Sequence, residues 1–319
     1  MSDVFVRTQV GYRGDPLVAG LPLLLLTPAL FAVNMLVARW AESANIPPLF
    51  LAWGRWALAF LILLPLVAPR LWAWRQALRA NWLHLAALAI FGMGVTVGAQ
   101  YIGARDTSAA NVALIFAACP IMIAVIESLA WRTPIGTFRA YGMLFAVCGV
   151  LVVLARGEGF VFTHYRIGEG DLWVLLAACG WAAYTVLSKR QMAVPLPGGV
   201  RLAALIGGGA LVLLPFAVVE GVSGKLPDFG DYRLYAALGL LAVVPSLGAY
   251  FCYDRLVAQI GASGAGVSLY LVPIYTALAA WPLLGEMPQL YHGIGFMLIL
   301  AGVVLSGMNR SATNDKAVA

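Results

Sequence analysis

Charge is scarce in this chain. Asp, Glu, Lys and Arg make up only 11% of its 319 residues, against roughly a quarter in an ordinary soluble domain, and that shortage excludes a chain kept in water by a charged surface. Chemistry-bearing clusters are scarce too. His84, His164 and His292 are isolated near expected loops or helix ends, so neither zinc-ligand spacing nor a nucleophile beside a base is present. The four cysteines, Cys119, Cys148, Cys179 and Cys252, stand in apolar segments without a Cys-x-x-Cys pair, which reads as buried free thiols. No enzyme chemistry, cofactor or metal is expected from such a set. A channel is disfavoured by the lack of charge rings or a filter loop.

What the chain has is apolar length. Hydrophobic residues make up 62% and the mean hydropathy is +0.89. A bilayer core about 30 Å thick takes roughly 20 apolar residues per helix, and runs bounded by polar or Pro/Gly breaks predict spans at 16–39, 47–67, 82–104, 108–130, 134–155, 170–188, 197–219, 232–257, 262–284 and 288–307. The first run, Leu17 to Ala38, follows Arg7 and Arg13 but is longer than the 7–15 residues or so of a signal-peptide core, and is read as a span.

The net charge of +6 is explained by topology. The basic residues are dispersed and no soluble domain presents them, so nucleic acid is not an expected partner. With a cytoplasmic N-terminus, thirteen of the twenty Lys and Arg residues fall on the cytoplasmic side, and six, Arg39, Arg105, Arg156, Arg166, Lys225 and Arg233, on the other. The bias predicts both termini in the cytoplasm.

Comparison of the sequence with itself reveals a duplication. At an offset of 150, Leu61-Ile-Leu-Leu-Pro65 falls on Leu211-Val-Leu-Leu-Pro215, and Phe31-Ala32 on Trp181-Ala182. At 153, Leu88-Ala89 falls on Leu241-Ala242, Pro120-Ile121 on Pro273-Ile274, Gly142 on Gly295 and Gly149-Val150 on Gly302-Val303. Aligned prolines carry weight because an interior proline costs a soluble helix about 3 kcal/mol or more. Five spans per half return the chain on the opposite side, so the second half is inverted relative to the first, as in secondary transporters. The fold expected is an all-α integral membrane protein of about ten transmembrane helices in two inverted five-helix repeats. It divides into a tail 1–15, a first repeat 16–155, a connecting loop 156–169, a second repeat 170–307 and a tail 308–319.

These segments resemble the drug/metabolite transporter superfamily, specifically its ten-helix EamA-type exporters. The resemblance rests on Phe31-Ala32 and Trp181-Ala182, on Arg55, on the small-residue runs leading to Pro120 and Pro273, and on Leu284-Gly285-Glu286 with Gly295 and Gly302 beyond it. One departure is that the first half has Trp131-Arg132-Thr133 where the second has the Gly-Glu turn, which leaves the role of Glu286 open. The resemblance implies a bacterial inner-membrane exporter of amino acids and related metabolites, most similar to aromatic amino-acid exporters of the YddG type. Other metabolites or drugs of the same superfamily, such as nucleosides or quaternary amines, remain alternatives. The partners implied are a small-molecule substrate and the bilayer; the resemblance does not fix an oligomeric state, and a monomer suffices.

Candidate site residues follow from polarity inside apolar spans. Asn34, Thr96, Gln100, Tyr101, Asn111, Trp181, Tyr184, Thr185, Ser246, Tyr250, Tyr253, Ser268, Tyr270 and Tyr275 lie on spans that would meet at the repeat interface. Tyr and Trp offer an apolar face with a hydrogen-bonding edge, suited to amphipathic or aromatic solutes; ordinary packing is the competing reading. Tyr250 and Tyr253 share a helix face with Ser246, and Trp181 with Tyr184.

Arg55, between Trp53 and Trp56, is either an anion contact in the bundle or, the reading preferred from sequence, a side chain snorkelling to the outer interface. Glu127 beside Arg132 and Asp254 beside Arg255 are interfacial pairs or gate elements. Pro120, Pro245 and Pro273 are candidate hinges. The first span carries Asn34 where small multidrug exporters related to the superfamily carry a proton-coupling carboxylate, so coupling through this position is not expected.

Overall fold

The computed structural model describes residues 16–131, 137–155, 168–188, 190, 192–253, 255–256, 259 and 268–315. Regular structure among them is helical. Among the described residues seven helices are long and apolar enough to cross a membrane: Leu21–Ser43, Pro48–Ala73, Trp82–Gly103, Ala109–Ala130, Glu169–Ser188, Gly198–Val222 and Tyr232–Tyr253. Three shorter apolar helices, Ala140–Val153, Leu271–Leu284 and Leu290–Gly302, complete the set. Numbered along the chain, spans one to seven run from Leu21–Ser43 through Gly198–Val222 with Ala140–Val153 as the fifth; the eighth is Tyr232–Tyr253, and the last two are the ninth and tenth.

The spans pack as two copies of one unit. Span two lies on span seven, and five on ten. Span one meets span nine as span four meets span six, and span one meets span eight as span six meets span three. Exchanging the halves maps each of these pairs onto itself or onto another member of the set. With five spans in each half, that exchange inverts the direction of every helix, giving two inverted five-helix repeats.

The five–ten seam shows the exchange residue by residue. A Cβ on Gly149 would lie 2.8 Å from the carbonyl oxygen of Gly295, and one on Gly302 would press closer still against that of Gly142. Gly142 corresponds to Gly295 and Gly149 to Gly302, so the two contacts are one contact seen twice. Small residues let the backbones approach this closely where no water drives association.

A second internal copy lies in spans three and eight. Each contains a π-helical segment, Ala89–Val95 and Ala242–Gly248, and the two stand 153 residues apart, the offset of the sequence repeat. A π turn leaves backbone carbonyls in need of donors. The Thr96 hydroxyl donates to the Phe91 carbonyl at 2.7 Å, and the Ser246 hydroxyl to that of Leu241 at 2.7 Å.

The three candidate hinge prolines sit where a missing N–H costs little. Span four breaks at Ala118, and Pro120 lies in the first turn of the helix Cys119–Trp131 that follows. Pro273 lies likewise in the first turn of Leu271–Leu284. Neither is in a helix interior, so the kink cost weighed from sequence does not arise. Pro245 falls within the second π segment. Outward, Leu61, Leu66, Leu211, Val219 and Val222 are exposed, a belt suited to hydrocarbon rather than water.

Candidate functional site

A polar cluster in the bundle interior is built around Arg55. It is 3% exposed, which overturns the snorkelling expected from its sequence. Spans one, three and eight bring acceptors to it, and the side chain turns inward to meet them. Its Nε donates to Ser246 Oγ at 3.0 Å, and its Nη1 to the Tyr101 hydroxyl at 2.8 Å and to Asn34 Oδ1. The guanidinium lies 4.3 Å from the Trp56 ring centroid and 5.8 Å from that of Tyr101.

The acceptors are themselves held in place. Tyr101 donates to Asn34 Oδ1 at 2.8 Å, the Asn34 amide nitrogen donates to Gln100 Oε1 at 3.2 Å, and Gln100 Nε2 reaches Met35 Sδ at 3.0 Å. Trp56 is fixed by its own indole N–H, which donates to the Met93 carbonyl at 3.2 Å. All of Arg55's hydrogen-bond partners among the described residues are neutral.

Insertion scales put a lone arginine at the bilayer centre at about 3 kcal/mol. Hydrogen bonds to a charged group, at roughly 1.5–3 kcal/mol each, and a desolvated cation–π contact, at about 2, offset that cost. They hold the charge without neutralising it.

Next to this cluster lies an aromatic one. Phe31, one turn from Asn34 on span one, meets Tyr250 at 5.8 Å and Tyr253 at 6.4 Å between centroids, both edge-on. Tyr250 is one turn beyond Ser246 on span eight, so both helices present a polar residue and then an aromatic one along the same face. On span six, Trp181 and Tyr184 stack at 5.2 Å, and Thr185 donates back to the Trp181 carbonyl at 2.8 Å.

A different set of polar residues ties the halves together at the end of the bundle where spans one, three, seven and nine finish and four and ten begin. Arg39 Nε contacts Glu286 Oε1 at 2.8 Å, with side chains 28% and 19% exposed. The other carboxylate oxygen of Glu286 accepts from the Ala109 backbone N–H at 2.8 Å, one of the unpaired donors at the start of span four. Glu220, near the end of span seven, accepts in the same way from Phe50 N at 2.7 Å at the start of span two. Asp171, at the start of span six, accepts from the Thr107 hydroxyl and from Asn111 Nδ2 at 3.4 Å.

A cavity of about 240 Å³ opens among these ties, lined by Arg39, Asp106, Thr107, Ser108, Asn111, Glu286 and Tyr291. The three carboxylates that make these ties, Glu286, Glu220 and Asp171, come from the second half. Their counterparts in the first, at the repeat offsets, are Thr133 for Glu286, Arg70 for Glu220 and Leu21 for Asp171, so the lock has no copy in kind.

The sequence-derived residues therefore divide. Asn34, Gln100, Tyr101 and Ser246 converge on Arg55. Asn111 sits in the end lock instead. Thr96 serves the π turn and Ser268 is buried. Tyr270 precedes the helix of span nine, and Tyr275 packs against the core. Glu127 is buried, with Arg132 outside the described residues; Asp254 also lies outside them, and the Arg255 guanidinium stands 4.4 Å over the Phe251 ring. Sequence reasoning passed over Arg39, Thr107, Asp171 and Glu220 as loop or helix-end residues. An acidic side chain at the start or end of an apolar run was the available signal.

Known proteins with related sequences cover the same extent. The family described as EamA-like transporters matches residues 18–155 and 168–308. An uncharacterized transporter of Archaeoglobus fulgidus is 27% identical over 295 residues, covering 88% of this chain and 96% of its own. The uncharacterized transporter YyaM of Bacillus subtilis is 25% identical over 269 residues, 84% and 87% of the two chains. A WAT1-related chloroplastic protein of Arabidopsis thaliana is 25% identical over 289 residues, 88% of this chain and 68% of that one. One solved crystal structure, 18% identical, superposes with a TM-score of 0.59 over 90% of this chain and 96% of its own, a likeness of fold.

Proposed function

The chain belongs to the EamA-like transporter family and is a membrane transporter, and from that premise we propose that it is a secondary carrier exporting small amphipathic metabolites, amino acids including aromatic ones among them. The observation that carries this reading is the interior between the two repeats. A buried cation, fixed amide and hydroxyl groups and a run of aromatic edges stand side by side there, on spans drawn from both halves. That is the lining an amphipathic solute requires.

Alternating access is the mechanism this reading implies. Inverted halves of like shape exchange conformations, closing a midplane site to one side as it opens to the other. The Arg39–Glu286 pair and the Glu220 and Asp171 ties then act as one gate, made and broken once per cycle. With both termini in the cytoplasm, as the Lys and Arg bias favours, that gate faces away from the cytoplasm in a bacterial inner membrane. The narrower comparison with YddG-type aromatic amino-acid exporters belongs to the same proposal, as does function as a monomer.

The test is counterflow in proteoliposomes of the purified protein against aromatic and aliphatic amino acids, nucleosides and quaternary amines. Saturable exchange of amino acids is the expected result. Ionic conductance without saturation, or the absence of uptake and exchange across the whole panel, overturns it.

A further inference from the structure

The donor inventory of Arg55 is only partly used. A guanidinium carries five N–H donors in a fixed fork. The Nε donor goes to Ser246, and Nη1 serves Asn34 and Tyr101. Nη2 has no hydrogen-bond partner among the described residues, and Arg55 forms no ion pair with any of them. A buried cation whose Nε and Nη1 are held by neutral acceptors while Nη2 is left unused is the half of a charge pair that a ligand completes.

The surroundings give that ligand a direction. The Asn34 side chain is oriented by Gln100 and by Tyr101, so the polar head of the site is rigid before anything binds. One turn along span one is Phe31, and one turn along span eight is Tyr250, their rings 5.8 Å apart. Charge at one end and aromatic edges at the next turn describe an anion with an apolar body.

We propose that Arg55 is the anchor for a carboxylate on the transported solute, its apolar body lying toward Phe31 and Tyr250, so that the substrate class is small amphipathic carboxylates. The proposal rests on the carrier reading above and narrows it. With no acidic side chain bonded within the cluster among the described residues, the carboxylate is the required group and an ammonium is optional.

The experiment uses three ring compounds that differ at their ionic groups: phenylalanine, 3-phenylpropanoate and phenylalanine amide. Each is measured as a competitor in counterflow and as a thermal stabiliser of the purified wild-type protein. Phenylalanine and 3-phenylpropanoate are expected to compete, with the amide at least ten-fold weaker. The Arg55→Gln variant abolishes that preference, and Arg55→Lys restores part of it.

Equal competition by the amide, or an Arg55→Gln variant that keeps the preference, overturns the assignment while leaving the carrier reading intact. Failure of every solute in counterflow sinks the carrier reading; the thermal shifts with the three compounds then still decide whether Arg55 holds a carboxylate. Stabilisation by chloride alone, with no difference among the ring compounds, means an inorganic anion occupies the site and overturns the substrate assignment. If Arg55→Gln does not fold, the wild-type series stands as the test.

Discussion

Arg55 and Arg39 come from the same half of the chain, on neighbouring helices, and end in opposite circumstances. Arg39 is half-buried and faces the Glu286 carboxylate of the other half at 2.8 Å. Arg55 is almost wholly buried, and the other half offers it the hydroxyl of Ser246. Burial raises the need for a counter-charge, yet the more buried of the two is the one without it. A paired arginine can fasten two bodies together; one held by neutral groups stays available to a third.

The sharpest way to break this comparison is at Arg55. Arg55→Leu removes a buried positive charge along with three hydrogen bonds, so the relief of desolvation offsets part of the loss. The thermal unfolding midpoint is expected to move little while counterflow falls to about one-hundredth, the factor that corresponds to a lost charge-assisted bond of roughly 3 kcal/mol. Unfolding of Arg55→Leu under conditions where the wild type is stable, with no separate transport effect, makes the residue a structural tie like Arg39.

At Arg39 the expected effect is on the equilibrium between conformations. Glu286→Gln weakens the pair and keeps an acceptor for Ala109 N–H, costing about 1 kcal/mol once the partial exposure of both side chains is allowed for. In the charge swap Arg39→Glu with Glu286→Arg, recovery is partial, because arginine cannot accept from Ala109. A double-mutant cycle with no coupling energy between positions 39 and 286 removes the gate.

The smallest effect belongs to a third arginine. Arg233 is 47% exposed and sits beside Asp231, which caps the start of span eight. The Arg233 backbone N–H, aided by its guanidinium, holds the Asp231 carboxyl below its ordinary value. A lowered folded-state value means the stabilisation is fully present above the unfolded value of about pH 3.9 and is lost as pH falls from there through the lower folded-state value. Asp231→Asn keeps the cap and removes the charge, so its unfolding midpoint is expected slightly below wild type at neutral pH and equal to it in acid. A gap that persists unchanged into acid assigns the effect to the cap alone.

How far each arginine was legible in the sequence follows from the same contrast. The ten spans, the duplication and the glycine seams are carried by apolar length and by spacing within single helices, which sequence displays directly. Asn34, Gln100, Tyr101 and Ser246 were visible as polar residues in apolar runs. That they meet around Arg55 was not, because depth along one helix says nothing about which neighbours face it; hence the snorkelling expectation. Arg39 and Glu220 looked like ordinary helix-end charges, and Glu286 stood only in a turn whose role was open; the packing of one repeat against the other turns the two glutamates toward backbone N–H groups across the interface and Arg39 toward Glu286. Asn111 was expected in the interior cavity for the same polarity that placed Asn34 there, but the Ser108 cap and Asp171 hold it at the end of its span.

The paired π segments carry a consequence about the proline. Ala242–Gly248 contains Pro245, while its partner Ala89–Val95 contains no proline. The widened turn therefore does not need a proline to exist. The bulge recurs at the repeat offset with a proline in one copy and without it in the other, so the backbone there gives up its regular hydrogen bonding independently of that residue.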